Sequence, residues 1–410
     1  MATMAKWPRV AVMGGSIGGL TAALLLRDLG CEVEVFERAG AALSSRGAGI
    51  VVHPATTRYL LDHGVANLDD VSTSAVWWRY LEPDGTVLLE EPCRYRFTAW
   101  NTLYRALLRE LEPARYHMGS EVVSFTQDGA GVGLTLADGR QAQADLLVAA
   151  DGVQSTARAQ LLPDVDHHYS GYVAWRGTVR EAELSGATRA AIKDAITYAV
   201  ADSSHVLLYP IPDAEGATEP GKRLQNFVWY RNVSTPELPT LLTDREGALR
   251  PLSLPPGAVA EAFVEELRAS AARTLPAVIA EVIARTAEPF VQVIVDVVVP
   301  RMAFGKVCLI GDAAYVGRPH AAVGTAKACV DAWELADALA AAEGDVEEAL
   351  ERWEPRQLVV GRDLAERTVA MGTRYQFTGD WDPADPELRF GFGREDLDNP
   401  AGDRRAVSRR

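Results

Sequence analysis

The sequence KVCLIGDAAYVGRPHAAVGTAKACVD, residues 306–331, combines a buried strand, an acidic turn and an alanine-rich helix. Residues 307–310 are a short apolar run of the kind that forms a fully buried strand. The run ends in Gly311 and Asp312, where a small residue and a carboxylate open the strand into a cleft. Residues 321–339 have the pattern of a buried helix, and its unpaired N–H groups favour an anionic or electron-rich ligand atom. Gly-Asp alone would fit any strand–loop–helix unit, but the longer pattern predicts a ligand site.

A second glycine-rich turn lies near the N-terminus and predicts a strand–helix–strand unit. The strand at 9–13 is followed by the turn Gly14-Gly15-Ser16-Ile17-Gly18-Gly19, a helix at 20–29 and a strand at 31–37. Glycines let the backbone approach a pyrophosphate, and an acid at the end of the second strand binds ribose hydroxyls. The predicted dinucleotide contacts are Gly14, Ser16, Ile17, Gly19 and Glu37, with Ser16 replacing the usual middle glycine.

The acid at Glu37 favours a free ribose, as in FAD or NAD, over a 2′-phosphate. The next residue, Arg38, either lies over the adenine or is solvated.

Composition excludes several classes of partner. The 410 residues contain 41 basic and 56 acidic side chains, a net charge of −15, which argues against nucleic acid and anionic membranes as partners. The four cysteines and seven histidines show no metal-binding spacing, so no metal is expected, and reduced thiols fit a cytoplasmic protein. No run is long enough for a membrane helix.

The rest of the pattern predicts an α/β (α+β) protein in which a sheet domain is inserted into a nucleotide-binding domain. Residues 75–90 are predicted to form a hairpin and 121–150 a meander, and 170–299 contain longer, aromatic-rich strands with helices between 236 and 285. The predicted divisions are a discontinuous nucleotide-binding domain (1–74, 98–165 and 300–344), a sheet domain (75–97 and 166–299), C-terminal helices (345–375) and a flexible tail (376–410).

Three motifs in this order resemble those of the single-component (group A) flavoprotein hydroxylases, which have the para-hydroxybenzoate hydroxylase fold. They are the turn at 14–19, Asp151-Gly152 after an apolar strand, and the pattern around Gly311-Asp312. Further segments resemble the dihydroxypyridine hydroxylase branch: GYVAWRG (171–177), YPIP (209–212), NFVWY (226–230) and RPHAAVGTAKA (318–328). Tyr315 departs from the wider family but agrees with this branch, whereas His53 replaces the glutamine expected there.

The resemblance implies a Rossmann-like FAD-binding domain with an inserted β-sheet substrate domain, and non-covalent FAD. It places the loop Arg46-Gly47-Ala48-Gly49 at the flavin, Asp151 and Gly152 near the pyrophosphate, and Gly311 and Asp312 at the ribitol. It also places Pro319, Gly324, Thr325 and Ala326 against the flavin ring. Arg105 either reaches the FAD phosphates or ribose, or is an ordinary helix-surface arginine.

The implied activity is hydroxylation of an electron-rich aromatic or N-heteroaromatic ring of the 2,6-dihydroxypyridine kind, with NADH or NADPH and O₂ as co-substrates. The resemblance also implies a homodimer. In the family the oxygen is carried by a flavin C4a-hydroperoxide, and the protein orients the ring. The candidates for contact with the substrate are His53, Tyr209, Tyr230 and His320. The alternatives are a monooxygenase or epoxidase acting on a polyketide- or phenol-type natural product, and a non-catalytic flavin-binding redox sensor.

Overall fold

The computed structural model describes residues 7–41 and 48–398. Its strands are, in chain order, β1 (Arg9–Met13), β2 (Glu32–Glu37), β3 (Gly49–Val51), β4 (Thr73–Leu81), β5 (Val87–Ala99), β6 (Tyr116–Met118), β7 (Val122–Asp128), β8 (Gly131–Leu136), β9 (Gln141–Ala144), β10 (Leu146–Ala149), β11 (His168–Arg180), β12 (Ala195–Ala201), β13 (Ser204–Ile211), β14 (Leu224–Asn232), β15 (Ser253–Leu254), β16 (Phe290–Val298), β17 (Ala303–Phe304), β18 (Val307–Leu309) and β19 (Tyr315–Val316).

The α-helices are, in the same order, α1 (Ile17–Asp28), α2 (Pro54–Asp62), α3 (Leu68–Val71), α4 (Trp100–Glu110), α5 (Thr156–Leu161), α6 (Gly186–Ala191), α7 (Leu238–Leu241), α8 (Glu261–Thr274), α9 (Ala277–Arg285), α10 (Gly324–Ala341), α11 (Val346–Thr373) and α12 (Glu395–Asp398).

The first sheet carries the predicted nucleotide-binding turns. Its strand order is β17-β18-β10-β1-β2-β6, and every pair is parallel except β17 with β18. Strands β10 and β18 are fully buried, as their unbroken apolar runs predict. Helix α10 packs against both α1 and α11. The carboxyl ends of β1, β10 and β18 therefore lie side by side, where open α/β sheets bind ligands.

A second sheet has the order β15-β16-β11-β14-β13-β12-β4-β5-β3, and β19 pairs with β16. Its pairs are antiparallel apart from β12 with β4. One face packs on α8 and α9, and the other buries an aromatic cluster that includes Trp78, Phe97 and Tyr209. Strands β7, β8 and β9 form a separate antiparallel sheet, which is the predicted meander. The predicted Rossmann-like domain with an inserted β-sheet domain is confirmed.

Two details differ from the sequence-based expectation. Helix α10 begins at Gly324, not near residue 321, because Pro319–Ala321 form a 3₁₀ turn and Ala322 has a left-handed backbone (φ +57°). Strand β3 pairs with the end of β5, so the second sheet reaches into the ranges that the sequence assigned to the nucleotide-binding domain.

The prediction of a flexible tail from residue 376 is wrong for residues 376–398. This segment buries Leu388, Phe392 and Leu397, and its backbone is held by Arg367 of α11. Its polar, Pro- and Gly-rich composition suggested disorder, but a few buried side chains and one arginine hold it in place. Residues 399–410 lie outside the described residues. Within the described ranges, no helix combines the length and apolar character needed to cross a membrane.

Candidate active site

The first glycine turn connects β1 to α1 and leaves the helix N-terminus open. Gly14 has φ +99°, and a Cβ on Gly19 would lie 2.0 Å from the Gly14 carbonyl oxygen, so both positions require glycine. Ser16 is the N-cap of α1, but its side chain caps no backbone N–H group. Because the first N–H groups of a helix lack partners within the helix, this turn fits a pyrophosphate.

Glu37 lies at the end of β2, directly beside this turn. Its carboxylate accepts hydrogen bonds from the backbone N–H of Gly15 (2.9 Å) and of Ala39 (2.8 Å). The acid is thus fixed next to the glycine turn, as the sequence predicts for a ribose contact. Arg38 is exposed.

The middle motif follows β10 at the same end of the sheet. The Asp151 carboxylate accepts from the Ser155 hydroxyl (2.6 Å) and the Ala157 N–H (3.2 Å), and burial raises its pKa. Gly152 has φ +81°, and a Cβ there would meet no atom within 4 Å, so its backbone borders open space.

Arg158 joins the middle motif to the loop after β18. This buried guanidinium donates to the carbonyl oxygen of Ala313 (3.0 Å) and to that of Val153. The two loops are therefore held at a fixed separation by one side chain.

Gly311 and Asp312 form the turn after β18. Gly311 has φ +58°, and a Cβ there would come 2.8 Å from the Cβ of Ala328 on α10. The Asp312 side chain is itself accessible to solvent, although protein atoms lie densely around it. The surrounding protein limits hydration of the carboxylate and raises its pKa to about 6, against the opposing charges of Arg158 and Lys327.

The start of α10 is a second open helix N-terminus. Its N-cap, Val323, has no capping side chain, and the Lys327 N–H makes the first bond of the helix, to the Val323 carbonyl (2.7 Å). Gly324 is exposed, and a Cβ there would meet no atom within 4 Å. The N–H groups of Gly324, Thr325 and Ala326 are thus the ones without intrahelical partners, next to the turn at Pro319.

The loop before β3 is held by side chains of the second sheet. Gly49 donates its N–H to Asn226 (3.0 Å), and its carbonyl accepts from the Tyr209 hydroxyl (2.8 Å) and from Arg176 (3.2 Å). Of the other predicted flavin-loop residues, Ala48 precedes this strand, and Arg46 and Gly47 lie outside the described residues.

Arg105 on α4 is partly buried and reaches the second sheet domain. Its guanidinium donates to the carbonyl oxygens of Asn101 (3.3 Å) and Ala214 (2.8 Å). Its predicted contact with FAD phosphates or ribose stays a prediction.

Two of the four substrate candidates lie in one buried aromatic cluster. His320 and Tyr230 have ring centroids 4.9 Å apart, and His205 lies 5.1 Å from His320 and stacks on Tyr230 at 4.6 Å. His320 Nε2 is 2.7 Å from the Tyr172 hydroxyl, whereas its buried Nδ1 has no partner. Burial and the nearby charge of Arg318 lower the pKa of His320 to about 3, so its imidazole is neutral.

Tyr209 belongs to the same buried apolar cluster as Tyr230, whereas His53 lies at the start of α2. Tyr209 stacks on Phe97 (4.3 Å) and binds the Gly49 carbonyl, so it shapes the loop before β3. His53 is the N-cap of α2: its Nδ1 accepts from the Ala55 N–H, and its ring packs on Phe392. Burial lowers the pKa of His53 to about 4.

The sequence analysis missed His205, Tyr172 and Arg176 as site residues. His205 lies on the same face of β13 as Tyr209, two pleats away, and that alternation was the available signal. Tyr172 and Arg176 lie inside the segment 171–177 that was compared with the family, but without assigned roles. Their importance depends on partners far along the chain.

Comparison with known proteins agrees with this geometry. Family models match residues 12–83 as an NAD(P)-binding Rossmann-like domain, residues 169–296 as FAD binding domain-like and residues 261–368 as an FAD binding domain. The chain belongs to the single-component flavoprotein hydroxylases, which are FAD-dependent monooxygenases of aromatic and heteroaromatic rings.

Individual proteins of this family are similar to the chain over most of its length. The chain is 38% identical to 2,6-dihydroxypyridine 3-monooxygenase of Paenarthrobacter nicotinovorans over 95% of this chain and 96% of that protein. It is 28% identical to 6-hydroxynicotinate 3-monooxygenase of Pseudomonas fluorescens, over 82% and 83% of the two chains. The solved structure of 2,6-dihydroxypyridine-3-hydroxylase from Arthrobacter nicotinovorans superposes with a TM-score of 0.89 at 36% identity, covering 94% of this chain and 97% of that one.

The residues present fit FAD, with NAD(P)H as the co-substrate that reduces it. Two open helix N-termini, at α1 and α10, face the same end of the first sheet, and Gly152 and Gly324 border open space where a side chain would stand. Glu37 and Asp312 place carboxylates beside the two openings. This arrangement suits a ligand with a ribose, a pyrophosphate and a polar ring edge.

Proposed function

We propose that the protein hydroxylates an electron-rich N-heteroaromatic ring of the 2,6-dihydroxypyridine type. The observation that carries this proposal is the buried Nδ1 of His320, which has no hydrogen-bond partner and lies in a cluster with Tyr230. A buried polar atom without a partner costs free energy, so such an atom among aromatic side chains suits a ligand hydroxyl or ring nitrogen. The identity to a dihydroxypyridine monooxygenase supports the same ring class.

His320 is the proposed contact for the ring hydroxyl. If its proton is on Nε2 and is donated to the Tyr172 oxygen, Nδ1 is free to accept a hydrogen bond. Because burial keeps this imidazole neutral, it is an acceptor throughout the physiological pH range. Tyr230, whose ring centroid lies 4.9 Å from that of His320, is the proposed second contact.

The remaining candidates have supporting roles in this proposal. Tyr209 fixes the Gly49 loop, which is the proposed flavin loop, and His53 packs against Phe392 of the C-terminal segment. Bound FAD, once reduced by NADH or NADPH, supplies the activated oxygen, and the aromatic cluster excludes water and orients the ring.

The proposal extends to the cofactor contacts and the organisation of the chain. The FAD contacts are those predicted from the sequence, in a discontinuous FAD-binding domain (1–74, 98–165 and 300–344) with a substrate sheet domain (75–97 and 166–299) and C-terminal helices (345–375). We also propose a cytoplasmic homodimer that binds neither nucleic acid nor membranes, consistent with the net charge of −15.

The test measures NADH and NADPH oxidation in the presence of O₂ and a panel of dihydroxypyridines, hydroxynicotinate and phenols, with the product mass. We expect 2,6-dihydroxypyridine to accelerate oxidation and to gain one oxygen atom. His320→Asn should raise KM for that ring, whereas His167→Asn, in an exposed loop, should not. Acceleration only by a phenol or polyketide-type ring would contradict the ring class. Flavin binding with no acceleration by any ring would favour the redox-sensor alternative.

A further inference from the structure

A fully buried ion pair lies in the first turns of α10, just behind the Asp312 turn. Lys327 Nζ is 2.5 Å from one carboxylate oxygen of Asp331, one helical turn later, and both side chains are almost completely inaccessible. The second carboxylate oxygen of Asp331 accepts the Gly311 N–H at 2.9 Å. One lysine, one aspartate and one backbone N–H therefore form a continuous buried network.

General stability does not account for such a pair. Removing two charges from water is costly, and apolar residues of similar volume often replace a buried ion pair without loss of stability. The groups near the Lys327 ammonium indicate a different role for the pair. It lies 5.3 Å from the centroid of the Tyr315 ring, and its charge acts on the Asp312 carboxyl.

The network also fixes the backbone that carries Asp312. Gly311 is held in its left-handed conformation by the Asp331 carboxylate on one side and by close approach to Ala328 on the other. Arg158 holds the following residues through the carbonyl oxygens of Asp312 (3.3 Å) and Ala313 (3.0 Å). The turn is thus clamped at the N–H of its first residue and at the carbonyls of its next two.

We propose that Lys327 and Asp331 are positioning residues for FAD: Asp331 fixes the turn that presents Asp312 to the cofactor, and Lys327 places a positive charge behind that carboxylate. This rests on the role of Asp312 as the ribitol contact in the proposed function. Neither residue needs to touch FAD itself.

The charges around Asp312 predict that FAD affinity depends on pH. Arg158 from α5 and Lys327 from α10 both act against the burial that raises the Asp312 pKa to about 6. Lys327 is in turn paired with Asp331. Burial raises the pKa of Asp331, and the charge of Glu334 on the same helix adds to this rise, whereas Lys327 and the Gly311 N–H oppose it. Cys308, Cys329 and Tyr315 also surround the pair, and burial keeps all three protonated.

The two partners should therefore have opposite effects when removed. FAD affinity should fall as pH drops through the Asp312 pKa, because a protonated carboxyl is a weaker hydrogen-bond acceptor for hydroxyl groups than a carboxylate. In Lys327→Met this fall should begin at higher pH, by about one unit, because an opposing charge has been lost. In Asp331→Asn it should begin at lower pH, because the ammonium is no longer neutralised and acts more strongly on Asp312.

The experiment titrates FAD into the full-length apoprotein between pH 5 and 8.5 and follows flavin fluorescence. Lys327→Arg should retain the wild-type midpoint. Arg223→Met is the matched control, because it breaks another buried ion pair, with Glu181 (2.6 Å), in the second sheet domain; it should lower stability without moving the midpoint. Unchanged midpoints in both Lys327→Met and Asp331→Asn would overturn the proposal. If Lys327→Met does not fold, Asp331→Asn is the deciding variant: a lower midpoint supports the proposal, and an unchanged one overturns it.

Asp312→Asn separates this inference from the role of Asp312. If that variant loses the pH dependence, Asp312 is the titrating group, and unmoved midpoints in the other variants then count against the ion pair only. If the pH dependence persists in Asp312→Asn, the assigned role of Asp312 is wrong and the inference fails with it.

Discussion

The phenol oxygen of Tyr172 lies 2.7 Å from Nε2 of His320, and this contact joins strand β11 of the second sheet to the turn before α10. Both residues are buried, and a Cβ on Gly372 of α11 would approach each of them within 3 Å. The orientation of the His320 ring is therefore determined jointly by three elements that are distant in sequence. The hydrogen bond between Nε2 and Tyr172 fixes the direction in which the unpartnered Nδ1 atom points.

Replacing Tyr172 by Phe tests that relationship. The variant leaves His320 Nε2 buried without a partner, so we expect a loss of about 1–3 kcal/mol in the free energy of unfolding. Because the ring is no longer oriented, KM for the aromatic substrate should rise more than kcat falls. Urea unfolding and steady-state kinetics measure the two effects. Tyr169→Phe, which removes a hydroxyl bonded to the Val233 carbonyl (2.7 Å) near the start of β11, is the control and should leave KM unchanged.

Arg158→Met should loosen the connection between the middle motif and the loop after β18. The carbonyl oxygens of Ala313 and Val153 lose their donor, which costs about 1–3 kcal/mol of stability and separates two loops of the cofactor site. We expect weaker FAD binding at every pH, measured by fluorescence titration. Lys222→Met removes an exposed pair with Glu219 (3.9 Å) and should change neither property. Wild-type FAD affinity in Arg158→Met would contradict the bracing role.

Gly19→Ala should abolish FAD binding through the shape of the first turn. The new Cβ would lie 2.0 Å from the Gly14 carbonyl oxygen, and backbone cannot move away as a flexible side chain can. Gly186→Ala is the matched control, because a Cβ there meets nothing within 4 Å at the start of α6. The purified Gly19→Ala protein should be colourless and Gly186→Ala yellow, with flavin content measured by absorbance. A yellow Gly19→Ala protein would show that the turn tolerates displacement.

Some features of this site can be predicted from sequence, and others cannot. The glycine turns and the acids at Glu37, Asp151 and Asp312 are predictable because each lies at or just after the end of a short strand, and the sheet brings these strand ends together. The role of His205 is not, because its ring is sandwiched by Tyr230 and by Tyr375, which lies far along the chain.

The network at Lys327 is hidden for a different reason. The spacing of four residues to Asp331 is common on exposed helix faces, and only the packing of α1 and α11 around α10 buries it. Burial of this kind is a property of the assembled layers, so a single helix pattern does not reveal it.

Low pH should destabilise the protein through its buried histidines. His53, His205 and His320 all have lowered pKa values, mainly because of burial, so the unfolded chain binds more protons than the folded one below about pH 6.5. Stability should therefore fall as pH drops from about 6.5 towards 4, by up to about 1.4 kcal/mol per pH unit for each histidine. The raised pKa of Asp312, about 6, offsets part of this loss of stability, because the folded protein takes up a proton at Asp312 before the unfolded chain does.

Urea unfolding between pH 4.5 and 7.5 measures this slope. His205→Gln should reduce it by about one proton, because glutamine keeps a hydrogen-bonding group for Gln376 but does not titrate. Asn232→Ala, which removes a hydrogen bond to the Gln376 carbonyl (2.8 Å) but no titrating group, should leave the slope as in the wild type. A slope unaffected by His205→Gln would mean that this histidine is not buried in its neutral form.

The segment 386–398 should contribute to both stability and the pocket, because it packs across the boundary of the two large sheets. Arg367 donates to the carbonyl oxygens of Glu387 (3.1 Å) and Arg389 (2.7 Å), and the Gly391 N–H binds the Ala321 carbonyl (3.0 Å) beside His320. Phe392 is buried at the edge of His53, so Phe392→Ala should cost about 3–5 kcal/mol. Phe377→Ala, whose ring is 48% exposed, is the control and should cost about 1 kcal/mol or less.

Because the segment is hydrogen-bonded next to His320, Phe392→Ala should also raise KM for the aromatic substrate and increase NADH oxidation without product. Equal costs for the two variants, with product yield unchanged, would show that the segment is a surface appendage and not a wall of the site.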